Sequence, residues 1–223
     1  AAWSPDGDRV AFTMAGSATP GIYVKSISGG GDEKLLLEVK APTFPTSWSP
    51  DGRYLVYESV GSQGSDMYYL DLVEGGEPVV FQKTEFNDTV PVISPDGRWL
   101  AYSTDESGRW EVYVTSFPDG GRKWQVSASG GDFPRWRQDG EELFFLTPEG
   151  MLVVAQVDGS SDTFRVGGLD PLFELGAYTG GYDYDVSADG QRFLINKALD
   201  TGRDQSQLPM TLVYNWTADL DGR

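Results

Sequence analysis

Apolar residues recur along this chain in strand-length runs, and the runs repeat. Counting from a glycine at 7, 52, 97, 140 or 190, the third residue on is Val10, Leu55, Leu100, Leu143 or Phe193, and the fifth is Phe12, Tyr57, Tyr102, Phe145 or Ile195. Alternation of this kind puts both on one face of a β-strand. The residue between them is apolar as well, Ala11, Val56, Ala101, Phe144 or Leu194, so burial is expected on the opposite face too. A two-layer sandwich leaves one strand face polar, whereas a sheet stacked between two neighbouring sheets needs apolar residues on both. The pattern therefore predicts radial stacking.

A third strand follows in every unit: Ile22 to Val24, Met67 to Leu70, Glu111 to Val114, Leu152 to Val154, and Thr211 to Tyr214. In the first four units it runs into a turn at Gly29-Gly30, Gly75-Gly76, Gly120-Gly121 or Asp158-Gly159, and a more polar fourth strand comes after, such as Lys123-Trp124-Gln125-Val126. No stretch has a helical period. The expected fold is all-β, a single β-propeller domain of four-stranded antiparallel blades. It contains five units, approximately 1–46, 47–91, 92–134, 135–182 and 183–217, with a tail at 218–223. The last unit offers strands at Tyr184 to Val186, Arg192 to Asn196 and Met210 to Trp216, and no outer strand after them. That shortage is read as a fragment of a larger ring, with the closing strand and any further blades upstream of Ala1.

Each counting glycine ends a short polar string. Ser-Pro-Asp-Gly stands at 4–7, 49–52 and 94–97, and worn copies follow as Arg137-Gln138-Asp139-Gly140 and Ser187-Ala188-Asp189-Gly190. Successive starts lie 45, 45, 43 and 50 residues apart, a spacing suited to propeller blades. Serine at the first position, proline presetting φ at the second and glycine in the left-handed region at the last describe a type I turn. The string is read as a hairpin corner, not as a repeated acidic site.

Composition narrows the chemistry. Acids outnumber bases 34 to 17, for a net charge of -17, which argues against nucleic-acid binding and against an anionic membrane surface. No apolar run approaches the roughly 18 residues of a membrane span, so no direct membrane insertion is expected of this chain. The absence of cysteine removes thiolate nucleophiles, disulfides and zinc-thiolate sites. The absence of histidine is the stronger constraint, because it removes Ser-His-Asp catalysis, imidazole metal ligands and the usual near-neutral general base.

The repeated Trp-Ser-Pro-Asp-Gly followed by an aliphatic strand resembles the WD40-like (PD40) repeats of the TolB propeller family over nearly the whole chain. The second half carries a longer series in one order. It includes Glu111-Val112-Tyr113-Val114, Phe117-Pro118, Gly121 to Ser127, Gly130-Gly131 and Pro134-Arg135-Trp136-Arg137, then Asp139 to Phe145, Tyr184 to Ser187 and Val213 to Thr217. This series resembles the C-terminal propeller of bacterial eukaryotic-like serine/threonine kinases and of some winged-helix regulators. The resemblance implies a propeller ending near Asn215-Trp216, with an effector domain far upstream. It also implies a periplasmic or other extracytoplasmic location, since a membrane segment usually separates the two parts.

Kinase loops and a Gly-x-Ser-x-Gly elbow are both missing, and Gly61-Ser62-Gln63-Gly64 lacks the elbow spacing. Two carboxylate clusters, Asp105-Glu106 with Glu111 and Asp183 with Asp185, could hold calcium or form an acid/base pair. Asp105-Glu106-Ser107-Gly108 is read as a hairpin loop between the second and third strands, no EF-hand spacing occurs, and no metal or cofactor is expected. Asn87-Asp88-Thr89 and Asn215-Trp216-Thr217 match the Asn-x-Thr pattern at a frequency chance explains. Aromatic residues beside arginine are the better binding candidates: Arg109, Trp110 and Arg135, with Tyr182 and Tyr184 as possible walls of a channel mouth. Trp136 aligns with Trp3 and Trp48 and is assigned to the core.

The expected function is a noncatalytic binding module for a protein, peptide or small ligand, at the sensory or scaffolding end of a bacterial signalling protein. The alternatives are the gating propeller of a prolyl-oligopeptidase-like serine peptidase and a TolB-type periplasmic envelope-transport protein.

Overall fold

A computed structural model describes residues 1–29, 31–75, 77–175 and 184–196. Its described residues form strands and turns, with no helix. Blade 1 is β1 (Ala2–Trp3), β2 (Arg9–Met14), β3 (Gly21–Ser26) and β4 (Lys34–Glu38), and blade 2 is β5 (Thr43–Trp48), β6 (Tyr54–Val60), β7 (Ser65–Asp71) and β8 (Val79–Gln82). Blade 3 is β9 (Asp88–Ile93), β10 (Trp99–Thr104), β11 (Glu111–Ser116) and β12 (Lys123–Gln125). Blade 4 is β13 (Asp132–Trp136), β14 (Glu142–Leu146), β15 (Met151–Asp158) and β16 (Arg165–Glu174), and blade 5 contributes β17 (Tyr184–Val186) and β18 (Phe193–Ile195). Within each blade the strands pair antiparallel in chain order, innermost first. The third strand of unit five, expected near Thr211 to Tyr214, lies outside the described residues.

The polar strings make the predicted corners. In all five, the glycine N–H donates to the carbonyl three residues back, from Gly7 to Ser4 through Gly190 to Ser187, at 2.8 to 2.9 Å. Their glycines have φ between +70° and +77°, which only glycine adopts without strain. Where serine leads, its hydroxyl donates to the aspartate two residues on and accepts the N–H that opens the second strand. Ser94 does this with Asp96 at 2.6 Å and Trp99 at 2.9 Å. In unit four Arg137 replaces serine, and its guanidinium instead joins Asp139, Glu141 and Glu142.

Each blade has a leading face that grips the blade before it and a trailing face that receives the next. Trp48, Leu55 and Tyr57 of blade 2 pack on Ala2, Ala11 and Ile22 of blade 1. Leu100 and Tyr102 of blade 3 meet Val56 and Met67 of blade 2, and Trp136, Leu143 and Phe145 of blade 4 meet Ala101, Val112 and Val114 of blade 3. The third and fifth residues after the corner glycine therefore lead, and the fourth trails. Burial on both faces holds for the middle blades and fails at the ends. Val10 and Phe12 are half-buried and Leu194 is 77% exposed, because among the described residues no blade covers the leading face of blade 1 or the trailing face of blade 5.

Hydrogen bonds cross the seams as well. Thr46 Oγ1 donates to the Pro91 carbonyl at 2.7 Å, Trp136 Nε1 donates to Val92 at 3.0 Å, and the Tyr184 hydroxyl donates to Phe133 at 2.7 Å. The antiparallel order puts the Ser-Pro-Asp-Gly corners and glycine turns on one rim, here the turn rim. The loops between second and third strands, with the connections between blades, form the opposite loop rim.

Candidate functional site

The inner strands β1, β5, β9, β13 and β17 converge on a cavity of about 470 Å³, walled by Ala1, Trp48, Val92, Arg135, Tyr184 and Asp185 among others. Two of the sequence candidates meet there. The Arg135 guanidinium lies over the Tyr184 ring, 5.9 Å from its centroid, and Arg135 Nε is 4.0 Å from the exposed Asp185 carboxylate. Tyr184 is itself buried, and burial pushes its phenol well above the ordinary tyrosine value, so it is a neutral donor to Phe133. This cavity presents one cation, one carboxylate and an aromatic wall, which suits polar recognition. Among the described residues it holds no paired acid and base around a nucleophile.

Two more of the five candidates, Arg109 and Trp110, lie elsewhere, on the loop rim between β10 and β11. Arg109 is already engaged: its Nε donates to Glu111 at 2.6 Å and its Nη2 to the Ala128 carbonyl at 2.8 Å. Glu111 is fully buried and also accepts from the Ser127 hydroxyl and from the Gly130 N–H at 3.1 Å. This carboxylate ties the β10–β11 loop to the connection leading into blade 4. Trp110 walls a small apolar pocket of about 210 Å³ with Gly131, Asp132, Phe133, Leu146, Thr147 and Pro148. Trp136 is buried in the seam between blades 3 and 4, as its alignment with Trp48 predicts. Tyr182 and Asp183 lie outside the described residues.

In the first of the two carboxylate clusters every member is engaged. Glu106 pairs with Lys123, Glu111 with Arg109, and Asp105 accepts the Asn87 backbone and side-chain N–H groups. No group of three or more potential acidic ligands is assembled among the described residues.

Features that sequence reasoning missed cluster at the same rim. Val90 and Phe133, each followed by proline and each seven residues before its corner glycine, have φ of +53° and +57°. A β-branched or aromatic residue in the left-handed region is held there at a cost of order 1–3 kcal/mol. The turned backbone sends the Val90 N–H to Glu58 Oε2 at 2.8 Å across the seam, and the Phe133 N–H to Ser103 Oγ at 3.2 Å. Burial raises the pKa of Glu58, Asp88 and Asp132, with hydrogen bonds opposing it at each. A Val-Pro or Phe-Pro at a fixed offset from the corner was the available signal, and propensity pointed the other way.

Comparison with known proteins follows the architecture. The family described as "PD40: TolB beta propeller domain" matches residues 1–166. No curated protein is matched by the sequence. Among solved structures, a TolB-type protein from Agrobacterium tumefaciens is 25% identical with a TM-score of 0.65, covering 78% of this chain and 64% of that one. TolB from Acinetobacter baumannii is 20% identical with a TM-score of 0.67, covering 86% of this chain and 46% of that one. A prolyl endopeptidase structure is 14% identical with a TM-score of 0.54, covering 87% of this chain and 34% of that one. The last two likenesses are of fold alone. The chain spans less than two thirds of the length of any of the three.

Proposed function

Because the chain belongs to the TolB beta propeller (PD40) family, we propose that it is a noncatalytic recognition module that binds a protein or peptide partner across the mouth of its central cavity. The observation that carries this reading is the convergence of inner strands from all five blades on one cavity where Arg135, Tyr184 and Asp185 stand together. Strands rigidly seated by four seams present loops from several blades to one side, which suits recognition. The missing histidine and cysteine, and the engagement of the buried acids in seams, support a role without covalent or acid–base chemistry. The motif series of the second half supports a place at the C-terminal, extracytoplasmic end of a bacterial signalling protein such as a serine/threonine kinase.

Panning the whole chain against a random-peptide display library tests the reading. Enriched peptides should bind in solution, and Arg135→Ala should weaken those seated in the cavity at least tenfold while the melting temperature stays within a few degrees. Failure to enrich any peptide, or turnover of a peptide or ester substrate by the purified chain, would overturn it. A second reading is favoured by the fold likeness to a prolyl endopeptidase: a gating propeller beside a hydrolase domain. Discovery of a Gly-x-Ser-x-Gly elbow in the same polypeptide would select it.

A further inference from the structure

The pocket at Trp110 is separate from the central cavity, and four observations mark it as built. It is preformed. Gly131 N–H donates to the Trp110 carbonyl at 2.9 Å, and Gly130 N–H is held by the buried Glu111. A Cβ on Gly131 would stand 2.6 Å from the Ser127 Cβ, and one on Gly130 would stand 2.7 Å from Pro148, so both positions are closed to any side chain. Phe133, on the pocket wall, is fixed in the strained left-handed conformation. Such outliers persist where the surrounding structure over-determines them, and they concentrate at binding sites.

Its size selects the occupant. At about 210 Å³ it falls below the roughly 300–1,000 Å³ of sites for whole small-molecule ligands, and it matches one bulky side chain. The wall is an indole, a phenyl ring, a leucine and a proline, which favours an apolar group. The charge left without an opposite partner at the pocket is acidic. Arg109 and Lys123 are paired with Glu111 and Glu106 and Asp132 on the wall lies within electrostatic reach of Arg135, whereas the exposed Glu149 next to Pro148 makes no ion pair among the described residues. An acidic rim around an apolar slot is complementary to a hydrophobic residue with basic neighbours.

We propose that the Trp110–Phe133–Pro148 pocket on the loop rim is the anchor site for one bulky apolar side chain of an extended partner peptide, flanked by lysine or arginine. This rests on the reading of the chain as a recognition module and adds a second, specificity-setting contact outside the central cavity. The seam between blades 3 and 4 supplies both halves of the pocket, so the anchor is available only in the stacked propeller.

The same display selection decides it. Peptides enriched on the whole chain are synthesised, and their affinities measured for the wild type, for Trp110→Ala and for Glu149→Lys, with melting temperatures as the control for folding. The expected result is a consensus of leucine, phenylalanine or another large apolar residue beside Lys or Arg. Trp110→Ala, a half-exposed position, should weaken binding at least tenfold. Glu149→Lys should weaken it several-fold, and salt raised from 50 to 300 mM should do the same by shortening the screening length. Alanine in place of the apolar residue of the peptide should abolish binding, which tests the pocket without altering the protein. Peptides that depend on Arg135 and are indifferent to Trp110 would overturn the anchor and leave the recognition module standing. No enrichment at all would overturn both. Binding that survives the loss of the basic flanks and is insensitive to salt would overturn the acidic-rim part of the proposal.

Discussion

Serine 94 shows how a single hydroxyl organises a blade corner. Its oxygen accepts the buried Trp99 N–H and donates to Asp96, while its carbonyl accepts from Gly97. Ser94→Ala strands that N–H without an acceptor, at a cost of about 1–3 kcal/mol, readable as a lower urea midpoint. An unchanged midpoint would show that the corner holds through its backbone alone. These roles were legible in the sequence because every partner lies within five residues and each residue type has one dominant use in a turn. Glu111 was visible only as the polar first residue of a strand and a member of an acidic cluster. Its hydrogen-bonded partners Ser127 and Gly130 lie 16 and 19 residues away, and no local pattern marks a carboxylate for burial. Val90 was illegible for the opposite reason: its residue type argues against the backbone conformation that its neighbours impose.

At the scale of strands, burial follows position in the stack more than residue type. Leu100 and Val10 occupy the same place after the corner glycine, yet Leu100 is fully buried in the seam between blades 2 and 3, and Val10 is only half-buried. Leu100→Ala should therefore cost about 2–5 kcal/mol through lost packing and a residual cavity. Val10→Ala, which removes two partly exposed methyl groups, should cost about 1 kcal/mol or less. Comparing guanidinium midpoints of the two variants checks this, and equal losses would contradict the uncovered leading face. The second strand of each unit was legible from period-two alternation, and the third strand of the first four units from the repeat. The ten-residue length of β16 was not, because Gly167, Gly168 and Pro171 read as loop. It is held by β15 through backbone pairing, with register shifts at two points, and most of its side chains face solvent.

Across the whole molecule, two sets of carboxylates pull stability in opposite directions with pH. Hydrogen bonds from serine hydroxyls lower the pKa of the corner residues Asp6, Asp51 and Asp189, so their contribution is present above the ordinary carboxylate value and is lost as pH falls through the lowered values. Burial raises the pKa of Glu58, Asp88 and Asp132. There the folded chain binds more protons than the unfolded one, and stability is lost as pH rises from about 4 through the raised values. Melting temperature measured from pH 3 to 8 should pass through a maximum in the mildly acidic range. Glu58→Gln with Asp132→Asn should flatten the limb above it, and a melting temperature still climbing at pH 8 would contradict the assignment. The meeting of Arg135 with Tyr184, 49 positions apart, needed the blades to be stacked, as did the pocket that Trp110 shares with Phe133 and Pro148. Each residue was legible as a candidate, but its company was not. A leading face is shaped for a trailing face and not for its own copy, so the joint is heterologous. Blades added through such a joint continue one rotation, so a single repeated contact is enough to build a ring.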